Sequence, residues 1–262
     1  MSPLLTGLPF VQGGGTPKAT VTGSTGSPTI DTTSRAGKTI YKFTGSGTIT
    51  IGVAGSCEIL CIGGGGSGAY SGPFAGTTSV GGSGGGMVTT TTAFLPAGSQ
   101  TITVGAGGAS AISNSFGQPG NGSLIGSTYY AQGGGGAVYN SNGSGLYSAG
   151  SGTGGFGTIA SAVGNPNTGG GIGFAGGAGF FVGSGNTNNR GGGSGGAGGA
   201  GGVASSGTIG AAGAGLANSI TGSSVTYAAG SNGASGAGTA NTGDGGGSGV
   251  AGGSGFVVIV IG

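Results

Sequence analysis

The chain has 262 residues, 79 of them glycine, with three acids, five bases, no histidine and a formal net charge of +2. So small a charge argues against a nucleic-acid surface, and three scattered acids, Asp31, Glu58 and Asp244, without histidine leave no ordinary acid–base or zinc chemistry; no enzyme activity, cofactor or metal is expected. Glycine loses the most backbone entropy on ordering, so a folded chain of this composition has to rely on dense main-chain hydrogen bonding rather than a large aliphatic core.

Residues 1 to 37 read as a Pro-, Thr- and Gly-rich arm. Leu4, Leu5, Leu8 and Phe10 are its candidate docking residues, onto its own domain or a neighbouring subunit. The arm lacks a basic n-region and is broken by Pro3, Gly7 and Pro9, so no secretory signal is expected. No apolar run approaches the roughly 18 residues of a membrane helix, so no membrane span is expected either.

From Lys38 the pattern changes to short strands divided by Gly-Ser turns: KTIYKF (38 to 43), GTITIG (47 to 52) and CEILCIG (57 to 63). Six of the eight charged residues lie before residue 59, so this first quarter carries the ordinary surface. Cys57 and Cys61 on one strand would be separated by roughly 13 Å, too far for a disulfide, and are read as reduced core residues. MVTTTTAF (87 to 94) and SQTITVG (99 to 105), joined by Leu-Pro-Ala-Gly, are expected to form a hairpin. Weaker strands follow at SLIG (123 to 126) and STYYAQ (127 to 132).

Residues 133 to 255 form a glycine body with no expected helix or strand of ordinary composition. In Gly191 to Val203, Ser194, Ala197, Ala200 and Val203 recur every third residue. That period matches neither a helix nor a strand, but it suits the polyproline II geometry, with three residues per turn. Such a segment satisfies none of its main-chain groups internally, so many of them are expected to pack together and exchange N–H and C=O bonds. Collagen is excluded by the broken phase and the eight prolines. The chain then closes with FVVIVI (256 to 261), a β-branched run expected to be central in a sheet and to pair with the early strands. Arg190 and Asp244, the two charges of the glycine body, are expected in solvent.

Two motifs have plain alternatives. Gly63, Gly65 and Gly68 match the dinucleotide fingerprint, but no helix follows and no acid lies between Glu58 and Asp244, so the match is attributed to chance. The aromatics of the glycine body, Tyr139, Tyr147 and Tyr227 among them, are either surface contacts that stack on a ligand or pegs filling the edges of the array; the peg reading is favoured.

The order YKFTGSGTITI (41 to 51), CEILCIGGGGSG (57 to 68), FLPAGSQTITVGAGG (94 to 108), Gly/Ala/Ser body and GGSGFVVIVIG (252 to 262) resembles the glycine-rich domain proteins of tailed bacteriophages. It is also similar to the glycine-rich region of anaplastic lymphoma kinase ectodomains, though without disulfides, kinase or membrane segments, and in composition to phage adhesins with polyglycine helices. The resemblance implies an all-β fold over residues 38 to 262: a small, jelly-roll-like β-sandwich with a glycine-rich insertion of packed polyglycine II helices and essentially no α-helix. It further implies a structural virion protein, a minor tail protein at the tail tip or in a fibre, made in the host cytoplasm. The implied partners are other virion tail proteins, further copies of the chain, with a trimer as a guess, and a host-surface glycan or protein. Three other readings stand beside it: a receptor-binding adhesin, a head decoration or minor capsid protein, and a bacterial glycine-rich surface protein.

Overall fold

The computed structural model describes residues 16–69, 80–112, 115–138, 150–155, 171–180, 182 and 188–262. The described residues form twelve strands: β1 (Val21–Thr25), β2 (Thr29–Asp31), β3 (Thr39–Phe43), β4 (Gly47–Ile51), β5 (Gly55–Ile62), β6 (Met87–Leu95), β7 (Gly98–Thr103), β8 (Ser123–Ile125), β9 (Tyr129–Ala131), β10 (Leu216–Asn218), β11 (Val225–Tyr227) and β12 (Phe256–Ile261). No α-helix occurs among the described residues.

Two five-stranded antiparallel sheets, ordered β1-β4-β7-β8-β9 and β2-β3-β12-β5-β6, pack face to face, and β10-β11 forms a separate pair. Alternation explains the arrangement. Strands with one apolar face bury it against the other sheet, whereas a continuous β-branched run needs cover on both sides. In β12, Val257 and Ile259 enter the core between the sheets with Phe43, Ile49, Ile59 and Ile102. Its Phe256, Val258 and Val260 face the other way, into a second core with Ile40, Leu60, Met87 and Tyr227. At roughly 1.5–3 kcal/mol for each buried large apolar side chain, β12 alone contributes on the order of 10 kcal/mol of transfer free energy. As expected, it pairs with early strands, β3 on one side and β5 on the other.

Three expectations need correction. The arm does not extend to residue 37: β1 pairs with β4 and β2 with β3, so the stretch from Val21 onward supplies an edge to each sheet. β6 and β7 are not a hairpin; β6 pairs with β5 and β7 with β4, and the turn between them carries the chain from one sheet to the other. Leu95, just before Pro96, is buried in the inter-sheet core and anchors that crossing. The glycine body also contains ordinary strands, since β10 and β11 pair to cover the second core through Leu216, Val225 and Tyr227. Cys57 and Cys61 are both on β5, buried and free, as read from the sequence.

The glycine tracts form a bundle that continues from the strands. Residues 63 to 69 leave β5, and their N–H groups point to three neighbours in rotation. Gly63, Gly66 and Ala69 donate to Gly86, Ser83 and Val80; Gly64 and Ser67 donate to Asn121 and Gln118; Gly65 and Gly68 donate to Gly253 and Val250. Their carbonyls serve three more tracts: Gly64 and Ser67 accept from Gly134 and Ala137, Gly66 and Ala69 from Gly246 and Gly249, and Gly65 from Gly108. These bonds span 2.7 to 3.3 Å. A partner that recurs every third residue is what a three-residue turn produces, and six neighbours around one segment is hexagonal packing.

A second hub repeats the pattern at 191 to 198. Gly192 and Gly195 donate to Gly155 and Gly152, Gly193 and Gly196 to Gly202 and Gly199, and Ser194 and Ala197 to Ser231 and Ala228. It accepts from Gly210 and Gly213, from Gly177 and Phe174, and from Gly84 of the tract shared with the first hub. The expected single run to Val203 is broken here: the chain bends at 197 to 199 and returns, so residues 199 to 202 are the next tract. At the bend a side chain on Gly199 would meet nothing nearer than 3.6 Å, so close packing does not require glycine at that position.

Candidate functional site

Within the bundle, buried serines tie tracts together. Ser194 Oγ donates to the Gly81 carbonyl at 2.5 Å and accepts the Gly154 N–H at 2.9 Å. Ser83 Oγ donates to the Ser151 carbonyl and accepts the Gly135 N–H, both at 2.6 Å. Ser231 Oγ lies 2.7 Å from the Gly246 carbonyl and 3.0 Å from that of Gly82. At the junction with the sheets, Ser123 Oγ donates to Ile62 and accepts from Gly105. Each hydroxyl fits where a glycine would leave a main-chain group unpaired, which in a dry interior costs about 1–3 kcal/mol.

The glycine fingerprint residues belong to this interior. Gly63, Gly65 and Gly68 donate to Gly86, Gly253 and Val250, so their N–H groups are spent on protein carbonyls and cradle no phosphate.

The tracts run away from the sheets and back, and their far-end turns expose large apolar groups. Tract 105–108 leaves β7 and 117–121 returns to β8; the turn between them carries Ile112 (81 % exposed) and Phe116 (43 %). Val182 (56 %) lies beyond the Phe180–Arg190 bridge, and Val203 (70 %) follows the tract paired to the second hub. Arg190 Nη1 donates to the Asn189 carbonyl, while Asp244 Oδ1 accepts the Ala229 N–H at 2.9 Å. Asp244 is therefore a main-chain anchor of the bundle rather than a solvated charge.

Five charged residues gather on the sheet side. The Arg35 guanidinium grips Glu58 with two bonds, Nη1–Oε2 at 2.7 Å and Nη2–Oε1 at 3.0 Å, and Lys38 Nζ lies 3.4 Å from Oε1. Lys42 Nζ sits 2.8 Å from Asp31 Oδ2. Asp31 also accepts the Thr33 and Ser34 N–H groups and the Ser34 hydroxyl. The Lys42 ammonium and then the Ser34 hydroxyl hold the Asp31 carboxyl well below the usual carboxylate range. Arg35, with a smaller contribution from Lys38, lowers Glu58. Arg35 Nη1 reaches the Ile220 carbonyl at 3.4 Å, linking the loop after β2 to the end of β10.

Beside this cluster is a groove of about 390 Å³, walled by Thr89 to Thr91 of β6 on one side, residues 217 to 220 on the other, and Arg35 and Glu58. Asn218 Nδ2 donates to Thr89 Oγ1 across it at 3.2 Å. Polar donors and acceptors converge here: the Arg35 guanidinium, the Glu58 carboxylate, the hydroxyls of Thr89 to Thr91 and the Asn218 amide. Among the described residues, no group of three or more His, Cys, Asp or Glu is placed to hold a metal ion.

Of the residues singled out from sequence, Leu4, Leu5, Leu8, Phe10, Tyr139 and Tyr147 lie outside the described residues. Tyr227 is 3 % exposed and its ring stacks on Phe256 with centroids 6.1 Å apart. It is a peg of the second core, not a surface contact, because β11 turns it inward beneath β12. The groove was not foreseen; its one sequence signal is the crowding of charge before residue 59.

A model of the glycine-rich domain matches residues 41–262. No curated protein matches the chain.

Proposed function

The chain belongs to the glycine-rich domain family, and from that premise we propose that it is a structural virion protein of a tailed bacteriophage, a minor tail protein at the tail tip or in a fibre. The observation that carries this reading is the paired-hub bundle. Its tracts are fixed to one another through main chain, present few ionisable groups, and project from a sandwich that holds most of the charge. Such a body is a stiff, chemically inert spacer, which suits a part that transmits position rather than performs a reaction. On this reading the neighbours are other tail proteins and further copies of the chain, and the location is the assembled particle.

A receptor-binding role is the second reading, favoured by the exposed Ile112, Phe116, Val182 and Val203 at the bundle's far end. Immunogold microscopy with antibody to the recombinant chain separates the alternatives. Label at one end of the tail supports the proposal, and label confined to capsids, or particles without the chain by mass spectrometry, contradicts it. In particles carrying Ile112→Ser with Val203→Ser, full assembly with lost adsorption supports the adhesin reading.

A further inference from the structure

The groove between β6 and residues 217 to 220 has a volume of about 390 Å³, inside the roughly 300–1,000 Å³ range of small-molecule sites. Every residue of its wall belongs to the described part of the chain. Two contacts fix the walls relative to each other: Asn218 Nδ2 donates to Thr89 Oγ1 at 3.2 Å, and Arg35 Nη1 to the Ile220 carbonyl at 3.4 Å. The turn after β10 is held as well, since Gly222 lies so close to Ser34 that a Cβ on the glycine would stand 2.7 Å from that of the serine. A wall fixed in this way is ordered before any ligand arrives, which lowers the cost of binding.

The wall offers donors and acceptors side by side. Arg35 has five N–H donors, of which Glu58 takes two and the Ile220 carbonyl a third. A carboxylate has about four acceptor positions. On Glu58, Arg35 fills one at each oxygen and Lys38 another at Oε1, so Oε2 keeps one. Thr91 adds an exposed hydroxyl. Asn218, whose Oδ1 accepts the Ile220 N–H at 2.9 Å, has a second amide N–H besides the one given to Thr89.

The charges of the wall cancel. Its one cation and one anion are Arg35 and Glu58, joined by bonds of 2.7 and 3.0 Å. Lys38 stands outside the wall, shared between Glu58 and the Gly262 main-chain oxygen, and Lys42 is paired with Asp31. An anion drawn to Arg35 meets the Glu58 carboxylate at nearly the same distance, and a cation drawn to Glu58 meets Arg35, so attraction and repulsion offset each other. A hydroxyl has no such conflict, because it accepts from the guanidinium and donates to the carboxylate.

We propose that this groove binds a neutral oligosaccharide, with neighbouring ring hydroxyls bridging Arg35 and Glu58 and others reaching Thr91 and Asn218. Hydroxyls set side by side on a rigid ring match a guanidinium and a carboxylate set side by side. An apolar surface for the C–H face of a sugar lies farther along β6. Phe94, 49 % exposed, pairs with Ser56, which is two residues before Glu58 and on the same face of β5. Two residues of strand are roughly 7 Å, which carries Phe94 beyond the first ring, so the fit is to a chain of sugars rather than to one.

The inference does not rest on the virion reading and is tested on the isolated full chain. Maltotriose, cellotriose and tri-N-acetylchitotriose, all uncharged, are each titrated into isotope-labelled protein and followed by the NMR shifts of assigned amides. At least one is expected to shift Thr89 to Thr91 and residues 217 to 220 saturably, with a Kd on the order of 1 mM, as a small polar groove allows. Thr91→Val, isosteric and exposed, should weaken that binding about fivefold, the worth of one hydrogen bond, and Arg35→Gln about tenfold. The same spectra show whether each variant is folded. Trigalacturonate, equal in length but anionic, should bind at least about tenfold more weakly than the best neutral sugar. No saturable shift with any of the neutral sugars, shifts confined to other residues, unchanged affinity in the folded variants, or trigalacturonate binding as tightly as the neutral sugars would each overturn the proposal.

Discussion

Gly66 faces the carbonyl of Gly135 so closely that a Cβ built on it would stand 2.0 Å from the oxygen and 2.4 Å from the carbon. The obstacle is main chain of a neighbouring tract, which cannot rotate aside as a side chain would. Gly66→Ala must push the first hub away from the tract of Gly135 and Gly136. We expect a loss of roughly 3 kcal/mol, the upper end of overpacking costs. Gly236→Ala, where a Cβ meets nothing within 4 Å, should be neutral or stabilise by up to about 1 kcal/mol. Thermal melts of the two variants check the contrast; equal losses would remove the packing argument.

Ser194→Ala removes a hydroxyl that serves both Gly81 and Gly154. The side chain shrinks by one atom, so the effect is that of two buried main-chain groups left unpaired. About 2–3 kcal/mol is expected, larger than for Ser→Ala at an exposed serine such as Ser99 of β7. Urea unfolding of both variants measures the difference.

Below neutral pH the charged cluster titrates. Asp31 and Glu58 have folded pKa values lowered from 3.8 and 4.5, so the stability they contribute is present above about 4.5 and is lost as pH falls through the folded values. The Arg35–Glu58 pair is partly exposed, 27 % and 16 % by side chain, which limits its share to about 1 kcal/mol. Glu58→Gln should lower Tm at pH 7 and leave the remaining decline between pH 5 and 2 shallower than in the native chain.

Above neutral pH the buried thiols act in the opposite sense. Burial, with the Glu58 charge adding to it, pushes Cys57 up to about 11, and burial pushes Cys61 up to about 12, from an ordinary 9.0. Below pH 9 the thiols are neutral in both states and cost nothing. As pH rises from 9 toward 12 the unfolded chain ionises first and stability falls. Replacing both cysteines by Ala should flatten that alkaline slope, read from unfolding free energies at pH 8, 9.5 and 10.5, whatever the variant's absolute stability.

Local signals carried much of the fold. Strands with clear β-branched or aromatic alternation, from Lys38 to Thr103 and again at FVVIVI, were legible because short periodicity is a property of neighbouring residues. Pairing was not, since it depends on which faces find cover. The turn at Leu95–Gly98 looks like a hairpin until Leu95 is seen buried between sheets that β6 and β7 do not share. The three-residue period was visible at Ser194 and Ala197, yet the bend after it was not, because glycine permits a straight course and a reversal equally. The groove beside Arg35 joins residues from positions 35, 58, 89 to 91 and 217 to 220, and no local pattern links segments so far apart. Tyr227 could be named from sequence as an aromatic of interest, but its inward side was decided by the pairing of β10 with β11.

The central claim is that main chain, rather than side chains, is the packing material of the glycine tracts. Native-state hydrogen–deuterium exchange resolved to residues 63–69 and 191–198 tests it most directly. The account predicts that these amides are protected as strongly as those of β5 and β12, exchanging only with global unfolding. Exchange at the rate of an unstructured glycine peptide, with β5 and β12 still protected, would contradict it.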